Sequence, residues 1–253
     1  MEGVYDNPKY YEIAFSFRDS IAEVDVLERA IERFSRIPVR TVLELGCGPA
    51  PHLDELTRRG YQYIGLDSSS AMLEYAMCKA DRVHSPATFV LADMTDFRIE
   101  GRTDFVFVLL GSLQAASTEE LHSHFDSVSR SLKRGGLYFL DWCVSFEPSR
   151  ETSESWEMAE GHIKVITTSR TKLANPVEQI YDETLTLEVQ EGGNRRMFQE
   201  AFKSRQMYPQ EFLLLVGARR DFEFVGWWNN WDLGEPLSGT AAIVRPITVL
   251  RRA

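Results

Sequence analysis

VLELGCGPA, residues 42–50, is an apolar run that leads directly into a glycine-rich turn. Val42, Leu43 and Leu45 read as a short buried strand, and the run interrupts its apolar character with one acid, Glu44. Gly46 and Gly48 let the backbone turn sharply and approach a ligand with no side chain in between. A dinucleotide-binding turn of this kind requires a third small residue at position 51. Pro51 stands there instead, which disfavours a pyrophosphate site and leaves room for a cofactor without phosphate.

Outward from this turn, helix and strand signals alternate. Upstream, Val24, Leu27, Ile31 and Phe34 recur at three- and four-residue spacing and predict an amphipathic helix ending before Pro38. Downstream, a helix near His52 to Arg59 is stopped by Gly60, and Tyr61 to Leu66 reads as a second strand. Serines after Asp67 cap a helix that buries Met72, Leu73, Ala76 and Ala80, and strands follow at Thr88 to Leu91 and Asp104 to Leu110. Ser117 and Glu120 have capping-box spacing; Leu121, Phe125, Val128 and Leu132 mark the inner face of the next helix, which should run to Gly135 and Gly136. His122 and His124 are assigned to its solvent side. Leu137 to Trp142 is a further strand. The order predicts an α/β fold, a mostly parallel sheet doubly wound by helices.

Beyond Trp142 the pattern changes. His162 to Arg170, Ile180 to Gln190 and Arg196 to Arg205 alternate with period two, and Gly192 and Gly193 supply a hairpin turn, so a small antiparallel β insertion is expected. A helix from about Pro209 to Ala218 returns the chain to the core, and Asp221 to Trp228 and Ile247 to Arg251 close the sheet. Pro246 cannot donate to a ladder and is expected at an edge or bulge.

Composition narrows the function. A chain of 253 residues with 43% hydrophobic and 26% charged residues suits one α/β core plus an insertion. The start through Glu2, Asp6 and Lys9 lacks the features of a signal peptide, and the apolar segment Phe105 to Leu113 is broken by Gly111 and Ser112, well short of the roughly 18 residues of a membrane span. A cytoplasmic protein without membrane contact is expected. Cys47, Cys78 and Cys143 fit neither a disulfide framework nor a zinc site, and no metal is expected. A formal charge of -10 repels phosphate backbones, and the pairs Arg195-Arg196, Arg219-Arg220 and Arg251-Arg252 are dispersed, so no nucleic acid is expected as partner.

With these residues in view, the chain resembles the class I S-adenosylmethionine-dependent methyltransferases, whose first motif carries an acid two residues before a G-x-G-x-G turn. Glu44, Gly46 and Gly48 match, and Ala50 replaces the last glycine. Three further segments continue the resemblance in order: YIGLD ending at Asp67, LADMTDF over residues 91–97, and DFVFVLLGSL from Asp104. It implies a doubly wound seven-stranded sheet, the Rossmann-like methyltransferase fold, and S-adenosyl-L-methionine as cofactor, released as S-adenosyl-L-homocysteine. It places Glu44, Gly46, Cys47 and Gly48 at the methionine end, Asp67 and Ser68 at the ribose, Met72, Asp93 and Met94 at the adenine, and Leu110 through Leu113 beside the transferable methyl. The opening YDNPKYYEIAFSFRD is similar to a lid of small-molecule members, with Tyr10, Tyr11 and Arg18 as candidates to close over the cofactor. The implied division is a helical lid over residues 1–40, a core over 41–145 and 206–253, and a substrate cap over 146–205.

The expected reaction is in-line methyl transfer to an oxygen or nitrogen of a small-molecule acceptor by a monomer or homodimer. A general base could come from Asp141, His162 or Tyr208, with His122 and His124 less favoured, and Trp142, Trp156, Arg205 and Trp228 are candidate pocket walls. Methylation of a protein or nucleic acid would call for an open groove, and a module that binds the cofactor without catalysis would keep the same three acids.

Overall fold

In the computed structural model, which describes residues 3–83, 85–239 and 242–253, the chain opens with helices α1 (Pro8–Ala14) and α2 (Ser20–Phe34). Pro8 presets the first turn of α1, and the Asp19 carboxylate caps α2 by accepting from the Ala22 N–H at 3.0 Å. Met1 and Glu2, read as part of a polar start, lie outside the described residues. The alternating core follows as β1 (Thr41–Leu45), α3 (Leu53–Arg58), β2 (Gln62–Asp67), α4 (Ser70–Val83), β3 (Ala87–Leu91), β4 (Thr103–Val108), α5 (Thr118–Ser131) and β5 (Leu132–Asp141). Four strands, β6 (Glu151–Glu160), β7 (Ile163–Asn175), β8 (Ile180–Glu191) and β9 (Asn194–Arg205), precede α6 (Pro209–Arg219), β10 (Phe222–Asn229), β11 (Asp232–Pro236) and β12 (Ile247–Arg252).

The main sheet has the order β11-β10-β12-β5-β4-β1-β2-β3. Strands β1 to β5 run parallel, while β12, β10 and β11 add antiparallel. The chain winds from β1 out to β3 and then crosses to β4 on the other side of β1. Their carboxyl ends therefore diverge and leave a crevice at the reversal. Side chains of β1 alternate as its period requires: Val42 joins one core with Leu27 and Leu53, whereas Leu43 and Leu45 join the other with Phe125 and Phe212. Strand β4 is buried along its whole length, as a central parallel strand must be.

The eighth strand, β11, exceeds the seven expected. DLGEP carries glycine and proline and no apolar alternation, a composition tolerated at the sheet edge it occupies. Pro246 does not sit on an edge strand: it immediately precedes β12, between β10 and β5, where its missing N–H is not needed and its carbonyl accepts from the Trp142 N–H at 3.0 Å. Helix α5 ends at Ser131, earlier than the glycines suggested, because Leu132 is already extended and Gly135 passes through β5. His124 is wholly buried and not on the solvent side; it shares a face with Leu121, Phe125 and Val128 at helical spacing.

The insertion is a four-stranded antiparallel sheet, β6-β7-β8-β9. Sequence alternation marked three of its strands and missed β6, whose run ETSESWEMAE is nearly all exposed and polar. One face of this sheet docks on α1 through Val165, Leu187, Val189 and Phe198 against Val4, Tyr10, Ile13 and Ala14. Helix α2 instead packs into the main core through Val24, Val26, Leu27 and Ala30. Cys47 is buried and Cys78 is exposed. No helix among the described residues is long and apolar enough to cross a membrane.

Candidate functional site

The glycine-rich turn fills the crevice at the end of β1. Gly46 and Gly48 take left-handed conformations at φ +64° and +50°, and Ala50 adopts φ +49° in the place of the third glycine. The left-handed φ at Gly46 favours glycine, and a Cβ there would stand 3.0 Å from the movable end of Met94. Around this turn lie two adjoining cavities. Gly46, Gly48, Asp67, Ser68, Met72, Asp93 and Met94 line the first. Arg18, Glu44, Cys47 and Leu110 line the second, and Tyr11 borders both. These residues, expected at a cofactor from the sequence, border two adjoining cavities, whereas Tyr10, Gly111 and Leu113 line neither.

At the end of β2, Asp67 accepts the Gly48 N–H on Oδ2 at 2.8 Å and the Ser69 N–H on Oδ1 at 2.9 Å. It both closes the turn and begins α4, and each oxygen keeps a lone pair for a further donor. Burial raises its pKa against the pull of those backbone donors. Asp93, after β3, accepts the Thr95 N–H and Oγ1–H on Oδ1, both at 2.8 Å, while Oδ2 takes no donor among the described residues. The Met94 carbonyl is held by His124 Nδ1 at 2.7 Å. Since a carbonyl only accepts, Nδ1 carries the proton and Nε2 accepts from the Tyr138 hydroxyl at 2.6 Å. Burial lowers the His124 pKa to about 4, consistent with a neutral ring.

Glu44 faces the second cavity as part of a buried network. Its Oε1 meets His52 Nδ1 at 2.7 Å and its Oε2 accepts the Tyr63 hydroxyl at 2.6 Å. His52 Nε2 reaches Glu23 at 2.8 Å, and Arg18 grips the same Glu23 at 2.8 Å. Burial opposes a charge on His52, but the Glu44 and Glu23 carboxylates outweigh it and raise the pKa. Burial likewise opposes the charge on Glu23, yet His52 and Arg18 hold its carboxyl well below the usual range. Neither His52 nor Glu23 was singled out from sequence, because their partners are joined only by the fold.

Helix α1 roofs the cleft. Tyr5 and Tyr11 line the first cavity, and burial pushes the Tyr11 pKa up to about 12. Tyr10 points away: it stacks on Phe198 at 5.6 Å and donates to Glu191 of the insertion at 2.8 Å. Glu12 binds Lys79 and Tyr75 of α4 at 2.7 and 2.6 Å, tying the roof to the core. Ser112 lies on both cavities and Gln114 on the first, in the segment expected to run beside the reacting group; Gln114 donates to the Tyr5 hydroxyl at 3.3 Å.

The residues proposed for catalysis and pocket walls are not brought to these cavities. Asp141 is wholly buried and clamped by Arg245, with Nη2 to Oδ2 at 2.7 Å, so it has no free face for an acceptor proton. His162 is exposed on the β6–β7 hairpin beside Glu191, and Tyr208 caps α6 and meets Tyr181 at 3.1 Å. His122 is exposed on α5. Trp156 donates to the Ala14 carbonyl at 2.7 Å and packs on Phe15, which makes it a strut for α1. Arg205 is absorbed by Glu211 and Gln179 at the return from the insertion. Trp228 lies in the main core, 4.8 Å from Phe34. Trp142 is half exposed just past β5 and borders neither cavity. An aromatic side chain carries no sequence mark that separates a pocket wall from a core contact. Among the described residues no group of three or more His, Cys, Asp or Glu side chains is placed to hold a metal ion.

Residues 42–136 match the family model of a methyltransferase domain. The chain is 30% identical over 154 residues to the carboxy-S-adenosyl-L-methionine synthase of Aliivibrio fischeri, a match covering 53% of this chain and 63% of that protein. The chain thus spans less than two thirds of that curated relative. Its fold is similar to that of an S-adenosylmethionine-dependent methyltransferase from Clostridium acetobutylicum, with a TM-score of 0.77 and 15% identity over 96% of both chains. It is also similar to the sugar N-methyltransferase KedS8 from Streptoalloteichus, with a TM-score of 0.72 and 23% identity over 100% of this chain and 94% of that one.

Proposed function

We propose, from the premise that this chain belongs to the class I S-adenosylmethionine-dependent methyltransferase superfamily, that it transfers a methyl group from S-adenosyl-L-methionine to an oxygen or nitrogen of a small-molecule acceptor. The observation that carries the reading is the convergence on one cleft of three acids, Glu44, Asp67 and Asp93, from three different strand ends around a side-chain-free turn.

The residues present fit this cofactor. Gly46, with no Cβ and φ +64°, keeps the turn open beside Met94. Asp67 retains acceptor capacity suited to ribose hydroxyls, and Asp93 Oδ2 with the Met94 backbone suits an adenine edge. Met72, buried beside them, offers an apolar, polarizable face to a base. Glu44 and Arg18, of opposite charge in the second cavity, match the ammonium and carboxylate of an amino acid. When bound, the sulfonium supplies a methyl already activated toward a nucleophile.

The protein's share is alignment and exclusion of water. Tyr5 and Tyr11 roof the first cavity, Ser112 and Leu110 border the reacting end, and Gln114 steers Tyr5. No side chain of this chain need form a covalent bond. A roof made by α1, with the insertion docked behind it, favours a small acceptor over the open groove that a protein or nucleic-acid substrate requires. Kinship in fold to a sugar N-methyltransferase supports the same acceptor class.

Incubating the full chain with labelled S-adenosylmethionine and a panel of amino and hydroxy metabolites tests this. Acceptor-dependent release of S-adenosylhomocysteine is expected; tight cofactor binding with no release across the panel would favour a non-catalytic binding module.

A further inference from the structure

The segment that ends β4 is unusual in two ways. Leu110, a non-glycine residue, is held at φ +54°, followed by Gly111 at φ +64°. A left-handed leucine persists only where its surroundings over-determine it. Two bonds do so here: the Leu110 N–H donates to Asp141 Oδ2 at 2.9 Å, and the Gly111 N–H donates to the Asp141 carbonyl at 2.9 Å. A Cβ on Gly111 would lie 3.2 Å from the Trp142 carbonyl, so this turn is pressed against the end of β5.

Asp141 is wholly buried, and a buried carboxylate needs a counter-charge. Arg245 supplies it with a fork of bonds, Nη2 to Oδ2 at 2.7 Å and Nε to Oδ1 at 3.2 Å. The same Nη2 donates to Glu23 at 2.8 Å, and Glu23 passes the connection through His52 to Glu44. Arg245 is itself fixed, its guanidinium 3.9 Å above the Trp231 ring and its carbonyl accepting the Trp231 N–H at 3.1 Å. A continuous chain of charged groups therefore runs behind the cleft from Leu110 to Glu44, two residues that line the same cavity. Arg245 lines neither cavity.

We propose, resting on the methyl-transfer reading above, that Arg245 is a positioning residue that sets the Leu110–Ser112 turn against Glu44 and so fixes the wall beside the reacting end of the cofactor. A guanidinium is required because one group must reach two carboxylates in different directions, which the single point charge of lysine cannot do with the same geometry.

The test is residue-resolved amide hydrogen exchange on the full chain, paired with calorimetric titration of S-adenosylhomocysteine. Arg245→Met alone strands a buried charge and risks unfolding, so it is combined with Asp141→Asn, which removes the charge and keeps an acceptor for the Leu110 N–H. In this double variant, exchange at Leu110 and Gly111 is expected to rise about tenfold or more, with β1 and the body of β4 unchanged and S-adenosylhomocysteine bound several-fold more weakly. Arg245→Lys should fall between wild type and the double variant. Unchanged exchange at Leu110 and Gly111, or a uniform rise through β4, β5 and β12 that marks a merely structural role, would overturn the proposal. Wild-type protein that fails to bind S-adenosylhomocysteine while the local exchange change appears would overturn the functional reading and leave Arg245 as the clamp of this turn.

Discussion

The Asp67 oxygens close the turn at Gly48 and start α4 at Ser69, and the proposed function gives the same oxygens to the ribose. Asp67→Ala should therefore weaken S-adenosylhomocysteine binding by about 1 to 3 kcal/mol, the cost of lost buried hydrogen bonds; titration calorimetry reads this, and equal affinity would remove the ribose role. His124 offers a second residue-scale prediction. Its pKa is lowered by burial to about 4, below its ordinary 6.5, so the stability it lends is full above pH 6.5 and drains away as pH falls toward 4. The stake is about 3 kcal/mol. His52 acts with the opposite sign: with its pKa raised, its contribution is full below pH 6.5 and is lost as pH climbs through the raised value. Denaturant melts of His124→Gln from pH 7 to pH 4 should show a flatter acid decline than wild type, and parallel curves would refute the assignment.

Helix α1 borders the cleft through Tyr11 and Glu12, and the proposed function gives it control of access. It has seven residues, too few to be stable alone, and it is held from both sides, by Ile13 in the apolar contact with the insertion and by Glu12 on Lys79 and Tyr75. Ile13→Ala should weaken this docking by about 2 to 4 kcal/mol. Proteolysis near residues 15–19 should quicken and S-adenosylhomocysteine affinity should drop while the melting temperature barely moves; a large global destabilisation would instead make α1 part of the core. Elements were legible in sequence wherever burial imposed a period. The strands from β1 to β5 and the helices between them carry apolar positions at fixed spacing, and the motif acids sit at strand ends where spacing along the chain fixes location. Strands β6 and β11 were not legible, because an edge strand with polar or Gly-Pro composition has no buried face to impose alternation. The link from Arg245 to Asp141 was hidden for a different reason. It joins residues 104 apart, and a pairing of that kind exists only once β12 lies beside β5.

At the scale of the molecule, the reversal of strand order at β1 opens the crevice, the parallel strands aim their acids into it, and α1 with the antiparallel sheet covers it. The most direct test of this arrangement is a crystal structure of the full chain with S-adenosylhomocysteine. Electron density is predicted for the ribose on Asp67, the adenine at Asp93 and Met94, and the amino-acid tail between Glu44 and Arg18. A ligand bound elsewhere on the molecule, or a cleft that stays empty at saturating concentration, would contradict the account.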